Sequence, residues 1–204
     1  MGLDGCGKST LMHKLGLERT VVNNTTGDQA SSSVFVAPSY KINDTDVFTL
    51  IQVGGSDRPS RAVLSARAEL YADAKALIWV IDAADLDRLR ESLYELREAL
   101  EGIMAKARQV PVMLLMNKKD MPKTCSALQL QEHCSGRTFL SQDAAPSIYD
   151  DETTLRLDSA LTHAFPLKPL WRCFDVEIIS CKGVSEAIDW LGMTLRGPST
   201  CALI

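Results

Sequence analysis

The sequence predicts one doubly wound α/β domain, in which a mostly parallel sheet is flanked by helices. Three observations predict it. Apolar runs of strand length alternate with segments of helical periodicity along the chain. A glycine-rich loop precedes the first of these helical segments. Short polar motifs follow later apolar runs directly, as loops do at the carboxyl edge of a parallel sheet.

The boundaries of the elements follow from the same patterns. The clearest helix has leucines at steps of three and four from Leu86 to Leu100. We predict helices near residues 8–18, 60–74, 85–106, 126–133 and 184–195. We predict strands at residues 33–42, 47–53, 76–81, 110–116 and 176–179. The domain then spans residues 1–196, with an irregular and partly disordered insertion at about 134–172 and a flexible tail at 197–204.

The glycine-rich loop at residues 2–9 reads Gly-Leu-Asp-Gly-Cys-Gly-Lys-Ser and fits G-x-x-x-x-G-K-[ST]. Its glycines let backbone N–H groups approach anionic oxygens, Lys8 can reach the β- and γ-phosphates, and the Ser9 hydroxyl can ligate Mg²⁺. The alternative is an ordinary glycine-rich turn. The candidate phosphate-binding residues here are Asp4, Gly5, Cys6, Gly7, Lys8, Ser9 and Thr10.

Two further motifs point to a guanine base. The apolar run at 110–116 ends in Asn117-Lys118-Lys119-Asp120, where the Asp120 carboxylate can accept hydrogen bonds from guanine N1–H and N2–H₂. Asn117 can brace the phosphate loop, and the Lys118 stem can lie along the base. The second motif is Ser180-Cys181-Lys182, whose Cys181 N–H we expect at guanine O6. A charged turn after a buried strand is the alternative for the first motif.

With these motifs the chain resembles the ADP-ribosylation-factor-like (Arf/Arl) small GTPases. The resemblance rests on Gly2 to Thr10, Val53-Gly54-Gly55, Asn117 to Asp120 and Ala187-Ile188-Asp189-Trp190-Leu191. It implies the P-loop small GTPase fold, GTP or GDP and Mg²⁺ as ligands, and a role as a molecular switch in membrane traffic or organelle signalling. It also implies an exchange factor, an activating protein, and effectors that contact segments near 24–36 and 54–66.

The resemblance also locates the switch residues, two of which depart from the family pattern. Thr25 stands where the family has a threonine that ligates Mg²⁺, and Thr26 is the alternative ligand. An ordinary polar turn without a metal ligand is also compatible with this stretch. The family's Asp-x-x-Gly-Gln is Gln52-Val53-Gly54-Gly55-Ser56 here. Gly55 keeps an N–H for the γ-phosphate, whereas Gln52 replaces a carboxylate at the metal and Ser56 is too short to orient the attacking water.

We therefore expect weak intrinsic hydrolysis of GTP, with Lys8 and Ser56 in the catalytic positions. The runner-up is a non-hydrolysing GTP-binding scaffold that holds one conformation for an effector. A metabolic P-loop kinase is a distant third, because Asn117 and Asp120 favour guanine.

The two ends of the chain carry further expectations. Only Met1 precedes the phosphate loop, which in this fold follows a buried central strand, so we expect that strand to be missing or truncated. Cys201-Ala202-Leu203-Ile204 fits C-a-a-X and predicts prenylation of Cys201. A single lipid gives reversible attachment, so we expect a cytoplasmic protein that visits the cytosolic face of a membrane.

The composition of the chain limits the kinds of partner and the cysteine chemistry that we expect. The chain has a net charge of −4 over 204 residues and no basic stripe interleaved with aromatic residues. It therefore lacks the charge pattern that is typical of proteins that bind DNA or RNA. We therefore expect no nucleic acid partner. The six cysteines contain no C-x-x-C pair, and we expect them to be reduced thiols.

Overall fold

The structure is a computed structural model of the chain. It describes residues 1–17, 20–21, 34–41, 47–53, 74–104, 110–134 and 171–196.

Six strands and four helices lie within the described residues. The strands are β1 Thr20–Val21, β2 Val34–Lys41, β3 Val47–Val53, β4 Leu77–Asp82, β5 Val112–Asn117 and β6 Trp171–Asp175. The helices are α1 Lys8–Lys14, α2 Leu89–Met104, α3 Ala127–Cys134 and α4 Val184–Arg196.

The strands form two three-stranded sheets. Strands β1, β2 and β3 pair in that order and are antiparallel, with Phe35 opposite Gln52 in the β2–β3 pair. Strands β4, β5 and β6 pair in that order and are parallel. Asp82 is opposite Asn117, which places the ends of β4 and β5 level with each other. The parallel sheet confirms the predicted fold class.

Helices cover both faces of the parallel sheet. Successive side chains of β4 alternate, since Trp79 and Ile81 join the cluster under α2 whereas Val80 joins the cluster under α1 and α4. Strand β5 is buried on both faces, as the central strand of a doubly wound sheet must be. The leucines of α2 form one apolar stripe on the first of these clusters. The only polar atom of the Trp79 side chain, Nε1, donates to Ser92 Oγ at 3.1 Å.

The last strand differs from the prediction. We expected it at 176–179, but it lies at Trp171–Asp175, where it pairs with β5 from Val112 to Met116. Arg172 and Asp175 are exposed and made this stretch look like a loop, while the apolar residues after it belong to a turn. The Val176 N–H still donates to Met116 O at 2.9 Å, and Glu177 forms an isolated bridge with Lys182.

Other boundaries differ by a few residues. Helix α1 ends at Lys14 because Gly16, at φ 71°, turns the chain where we had extended the helix to 18. Helix α2 begins at Leu89, after two turn residues, and not at 85. The two-residue strand β1 was not predicted, since two residues carry no readable period. The helix predicted at 60–74 and most of the insertion at 134–172 lie outside the described residues.

Candidate functional site

The glycine-rich loop lies between Met1 and α1, next to β4. The Val80 N–H donates to Met1 O at 2.9 Å, which places the start of the loop beside β4. A Cβ on Gly7, whose φ is 108°, would overlap the side-chain amide of Asn117, so no other residue fits there. The loop therefore approaches the end of β5 as closely as its backbone allows. Within the predicted phosphate set, Cys6 is buried, whereas Asp4, Gly5 and Thr10 are exposed.

Lys8 is the most buried cation of the site, with 8% of its surface exposed. Its ammonium donates to the carbonyl of Leu3 and lies 3.6 Å from Cys6 Sγ. The side chain thus folds back across the loop that its own residue closes. A buried ammonium held by one carbonyl and a thiol has weak acceptors, so an anionic oxygen is a better partner for it.

Asn117 joins three loops through one amide. Its Nδ2 donates to Cys6 O at 2.9 Å, and its Oδ1 accepts the Ile178 N–H at 3.0 Å. Asn117 is 5% exposed, so these bonds replace water entirely. The loops after β5 and β6 and the glycine-rich loop consequently meet at one edge of the parallel sheet.

The two lysines after Asn117 are fixed by nearby groups. Lys118 has φ 66° and its ammonium forms an ion pair with Asp82 at 2.5 Å. Lys119 donates to Thr124 Oγ1 at 2.7 Å and to Cys125 O at 3.0 Å. Asp120 is exposed, and within the described residues no hydrogen bond occupies its carboxylate. That carboxylate is therefore available to a ligand.

The Ser180-Cys181-Lys182 segment is a turn closed on itself. The Cys181 N–H, which we expected to meet guanine O6, donates to Ile178 O at 3.3 Å, and Cys181 has φ 62°. Glu177 accepts from Ser180 at 3.0 Å and from Lys182 at 2.9 Å, and the Lys182 bond holds the pKa of Glu177 below its usual value. The structure does not bring these three residues to Asn117; it brings Ile178.

Sequence reasoning missed Ile178 because it contributes a backbone N–H, which any residue type supplies. The next residue, Ile179, has 73% of its surface exposed although it is apolar. The available signal was order along the chain: Val176 to Ile179 follows β6 at the same edge at which Asn117 ends β5.

Gln52 of β3 contacts the phosphate loop from the other sheet. Its Nε2 donates to Ser9 Oγ at 3.0 Å, while its Oε1 is buried without a hydrogen-bond partner. Gln52 is 7% exposed, so this unpaired oxygen is costly unless a further donor or a cation meets it. Ser9 Oγ and Gln52 Oε1 are hard oxygen ligands of the kind that Mg²⁺ or its bound waters prefer. The donor set fits a magnesium ion, although neither group carries a negative charge.

Several predicted residues lie outside the described residues: Thr25 with its alternative Thr26, Gly55, Ser56 and Cys201. Among the helices that are described, none combines the length and the apolar character needed to cross a membrane.

A parallel α/β sheet with a glycine-rich phosphate loop before α1 and an N-K-x-D loop after β5 defines the class of P-loop nucleotide-binding proteins. Within that class, the family model for the ADP-ribosylation factor family matches residues 1–195. The chain belongs to this family and has the fold of a GTP-binding small GTPase switch. Members of the family generally bind GTP or GDP with Mg²⁺ and interact with effectors, exchange factors and activating proteins.

Proposed function

We propose that this chain is an Arf-type switch in membrane traffic or organelle signalling whose intrinsic hydrolysis of GTP is weak. The observation that supports it best is the Asn117 amide, which bonds to Cys6 of the phosphate loop and to Ile178 of the last loop. One side chain thereby sets the separation between the phosphate end and the base end. A single guanine nucleotide spans that separation.

The residue roles follow from position. Lys8 binds the β- and γ-phosphates together with the N–H groups of residues 4–10, and Gly55 adds an N–H to the γ-phosphate. Asp120 accepts from guanine N1–H and N2–H₂. Lys118, oriented by Asp82, lies along the base and ribose. At guanine O6 we now place the loop that contains Ile178, and Ser180, Cys181 and Lys182 support its turn.

Ser9, Thr25 and Gln52 are the residues that would hold Mg²⁺. When bound, the ion neutralises charge on the β- and γ-phosphate oxygens. The Gln52 amide donates a hydrogen bond to Ser9 Oγ, whereas a carboxylate at 52 would accept one from the hydroxyl. Donation to Ser9 Oγ draws electron density from the oxygen that meets the metal, so Mg²⁺ binds more weakly than it would beside an aspartate.

Hydrolysis is slow because Ser56 cannot reach the attacking water. Unassisted GTPases already turn over at roughly 10⁻⁴ per second. Loss of one group that positions the reactants lowers the rate by a further 10²- to 10³-fold, on the order of magnitude known for single catalytic hydrogen bonds. An activating protein that supplies an arginine would restore part of the rate.

The test begins with the nucleotide itself. The purified chain is denatured, and the released nucleotide is identified by chromatography as GTP, GDP or neither. Single-turnover hydrolysis is then compared between the natural chain, Ser56→Gln and Gln52→Asp. We expect Ser56→Gln to raise the rate of GTP hydrolysis. We expect Gln52→Asp to bind Mg²⁺ more tightly, so that the nucleotide stays bound at a lower Mg²⁺ concentration. A natural chain that hydrolyses GTP at the ordinary rate would contradict the proposal.

The second candidate function is a scaffold that binds GTP without cycling. The bond from Gln52 to Ser9 favours it, because it joins β3 directly to α1 and so fixes one arrangement of the two elements. If the rate stays unmeasurable with Ser56→Gln and with an activating protein, the scaffold is the better description.

Attachment to a membrane through a prenyl group on Cys201 remains a prediction from the sequence, and by analogy with a terminal leucine we expect a geranylgeranyl group. Mass spectrometry of the protein from its native cell tests it. A thioether of that mass on Cys201 supports the prediction, and an unmodified peptide that ends at Ile204 contradicts it.

A further inference from the structure

The phosphate loop carries an acidic side chain where a polyanion is expected. Asp4 is the third residue of the loop and is exposed. A carboxylate near phosphates repels them, and the repulsion grows with each added phosphate charge. The loop therefore contains a group that opposes GTP more than GDP unless another group offsets it.

Arg88 is that group. Its Nη2 lies 2.8 Å from Asp4 Oδ1, although the two residues are 84 positions apart. We propose that Arg88 holds the Asp4 carboxylate away from the nucleotide and neutralises it, and so maintains the affinity of the site for GTP relative to GDP. This inference rests on the proposed binding of guanine nucleotides.

Arg88 is fixed by the start of α2. Its backbone N–H donates to Asp85 Oδ1 at 3.2 Å, just before the helix begins at Leu89. Its Nε donates to Glu91 Oε2 at 2.8 Å, and its Nη2 to Glu91 Oε1 at 3.2 Å. The guanidinium is thus oriented by Glu91 in the first turn of α2 and presents Nη2 to the loop. Asp4 is held by an anchored partner.

Asp4 lies in the same loop as Lys8, whose ammonium would bind the β- and γ-phosphates. The hydrogen bond from Arg88 is the main cause that lowers the pKa of Asp4, and the positive charge of Lys8 makes a smaller contribution to the same shift. The other carboxylates on this face have partners of their own, Lys118 for Asp82 and the Arg88 N–H for Asp85.

Removal of Arg88 leaves Asp4 charged and free to approach the phosphates. GTP carries more negative charge than GDP, so its affinity falls further. Because both side chains are partly exposed, the repulsion is screened. We expect Arg88→Ala to lower the ratio of GTP affinity to GDP affinity by about fivefold at low salt, with a smaller change at high salt.

The experiment is a double-mutant cycle with Asp4→Asn, Arg88→Ala and the double variant. Dissociation constants for GTP and GDP are measured by titration with fluorescent analogues in about 50 mM and about 500 mM salt, where the screening lengths are about 14 Å and about 4 Å. Arg90→Ala is the matched control, because it removes the same charge two residues further along the chain, at an exposed position of α2. Thermal melting checks that every variant is folded.

We expect Arg88→Ala to lower the ratio of GTP affinity to GDP affinity in the natural chain but not in a chain that already carries Asp4→Asn. Arg90→Ala should leave this ratio unchanged. An equal loss in both backgrounds would mean that Arg88 acts on the phosphates directly and would overturn the proposal. So would an unchanged ratio in Arg88→Ala. If the natural chain binds neither nucleotide, it is the proposed function that fails, and the cycle separates the two failures.

Discussion

The phosphate end and the base end of the candidate site differ in how they are held. At the phosphate end, Lys8, Asn117 and Gln52 are buried and already bonded to the loop. At the base end, Asp120 and Ile179 are exposed, and the ion pairs around them involve surface groups. A buried, bonded loop needs little reorganisation to bind phosphates, whereas an exposed carboxylate gains most of its bonds from the ligand. We therefore expect the phosphate end to provide most of the affinity for a nucleotide and the base end to provide the selectivity.

The strongest test of that assignment is Lys8→Ala. It removes the buried ammonium, and we expect the affinity for both GTP and GDP to fall by at least about 100-fold, because charge-assisted bonds to phosphate are lost. Lys14→Ala is the control, since Lys14 is exposed on the same helix. Titration with a fluorescent guanine nucleotide measures both. If the two variants bind the nucleotide with equal affinity, Lys8 and its loop do not bind the phosphates.

The second test concerns the joint between the two ends. Asn117→Ala leaves Cys6 O and the Ile178 N–H buried without their partner, and we expect the free energy of unfolding to fall by about 2 to 3 kcal/mol. Denaturant unfolding without nucleotide measures it. Asp189→Ala, at an exposed position of α4, should change little. A natural-like value for Asn117→Ala would mean that the loops are held together by other contacts.

Asp120→Ala separates selectivity from stability. Because the carboxylate is exposed, the unfolding free energy should stay the same, while the affinity for GDP falls by about 30-fold and the preference over ADP disappears. Calorimetric titration with both diphosphates gives the answer. A variant that still prefers GDP would place base recognition elsewhere.

The smallest effect is the pH dependence of the Asp4–Arg88 pair. Arg88 lowers the pKa of Asp4 from its ordinary 3.8, so the pair stabilises the folded chain at neutral pH, and this contribution is lost as the pH falls through the lowered pKa. Since the pair is partly exposed, we expect less than about 1 kcal/mol.

Urea unfolding of the natural chain and of Asp4→Asn between pH 7 and pH 3 should show curves that converge in acid. A difference that persists unchanged at the lowest pH would exclude this pair as its source.

The sequence predicted the elements whose pattern is set by burial. Strand β5 is apolar throughout because both of its faces are covered, and α2 shows its leucine stripe because one face is covered. Strand β6 was placed too late, because exposed Arg172 and Asp175 obscure its period. The periodicity of a sequence reflects burial, and a short strand that is buried at only two of its five residues shows little of it.

The site divides in the same way. The motifs gave Lys8, Asn117 and Asp120 because those roles need particular side chains. They did not give Ile178, whose backbone acts, or the contacts of Gln52 with Ser9 and of Arg88 with Asp4, which join residues 43 and 84 positions apart. These contacts form only when the folded chain brings distant residues together, and a short sequence motif carries no information about such distant residues.

The direct pairing of β5 with β6 has a consequence for how this chain can change over generations. Met116 is opposite Asp175, so the heights of Asn117 and Ile178 are set by backbone bonds between the two strands. Apolar residues along β5 and β6 can therefore be exchanged for others of similar size without moving Asn117 and Ile178 relative to each other, as long as the backbone bonds between the strands are kept.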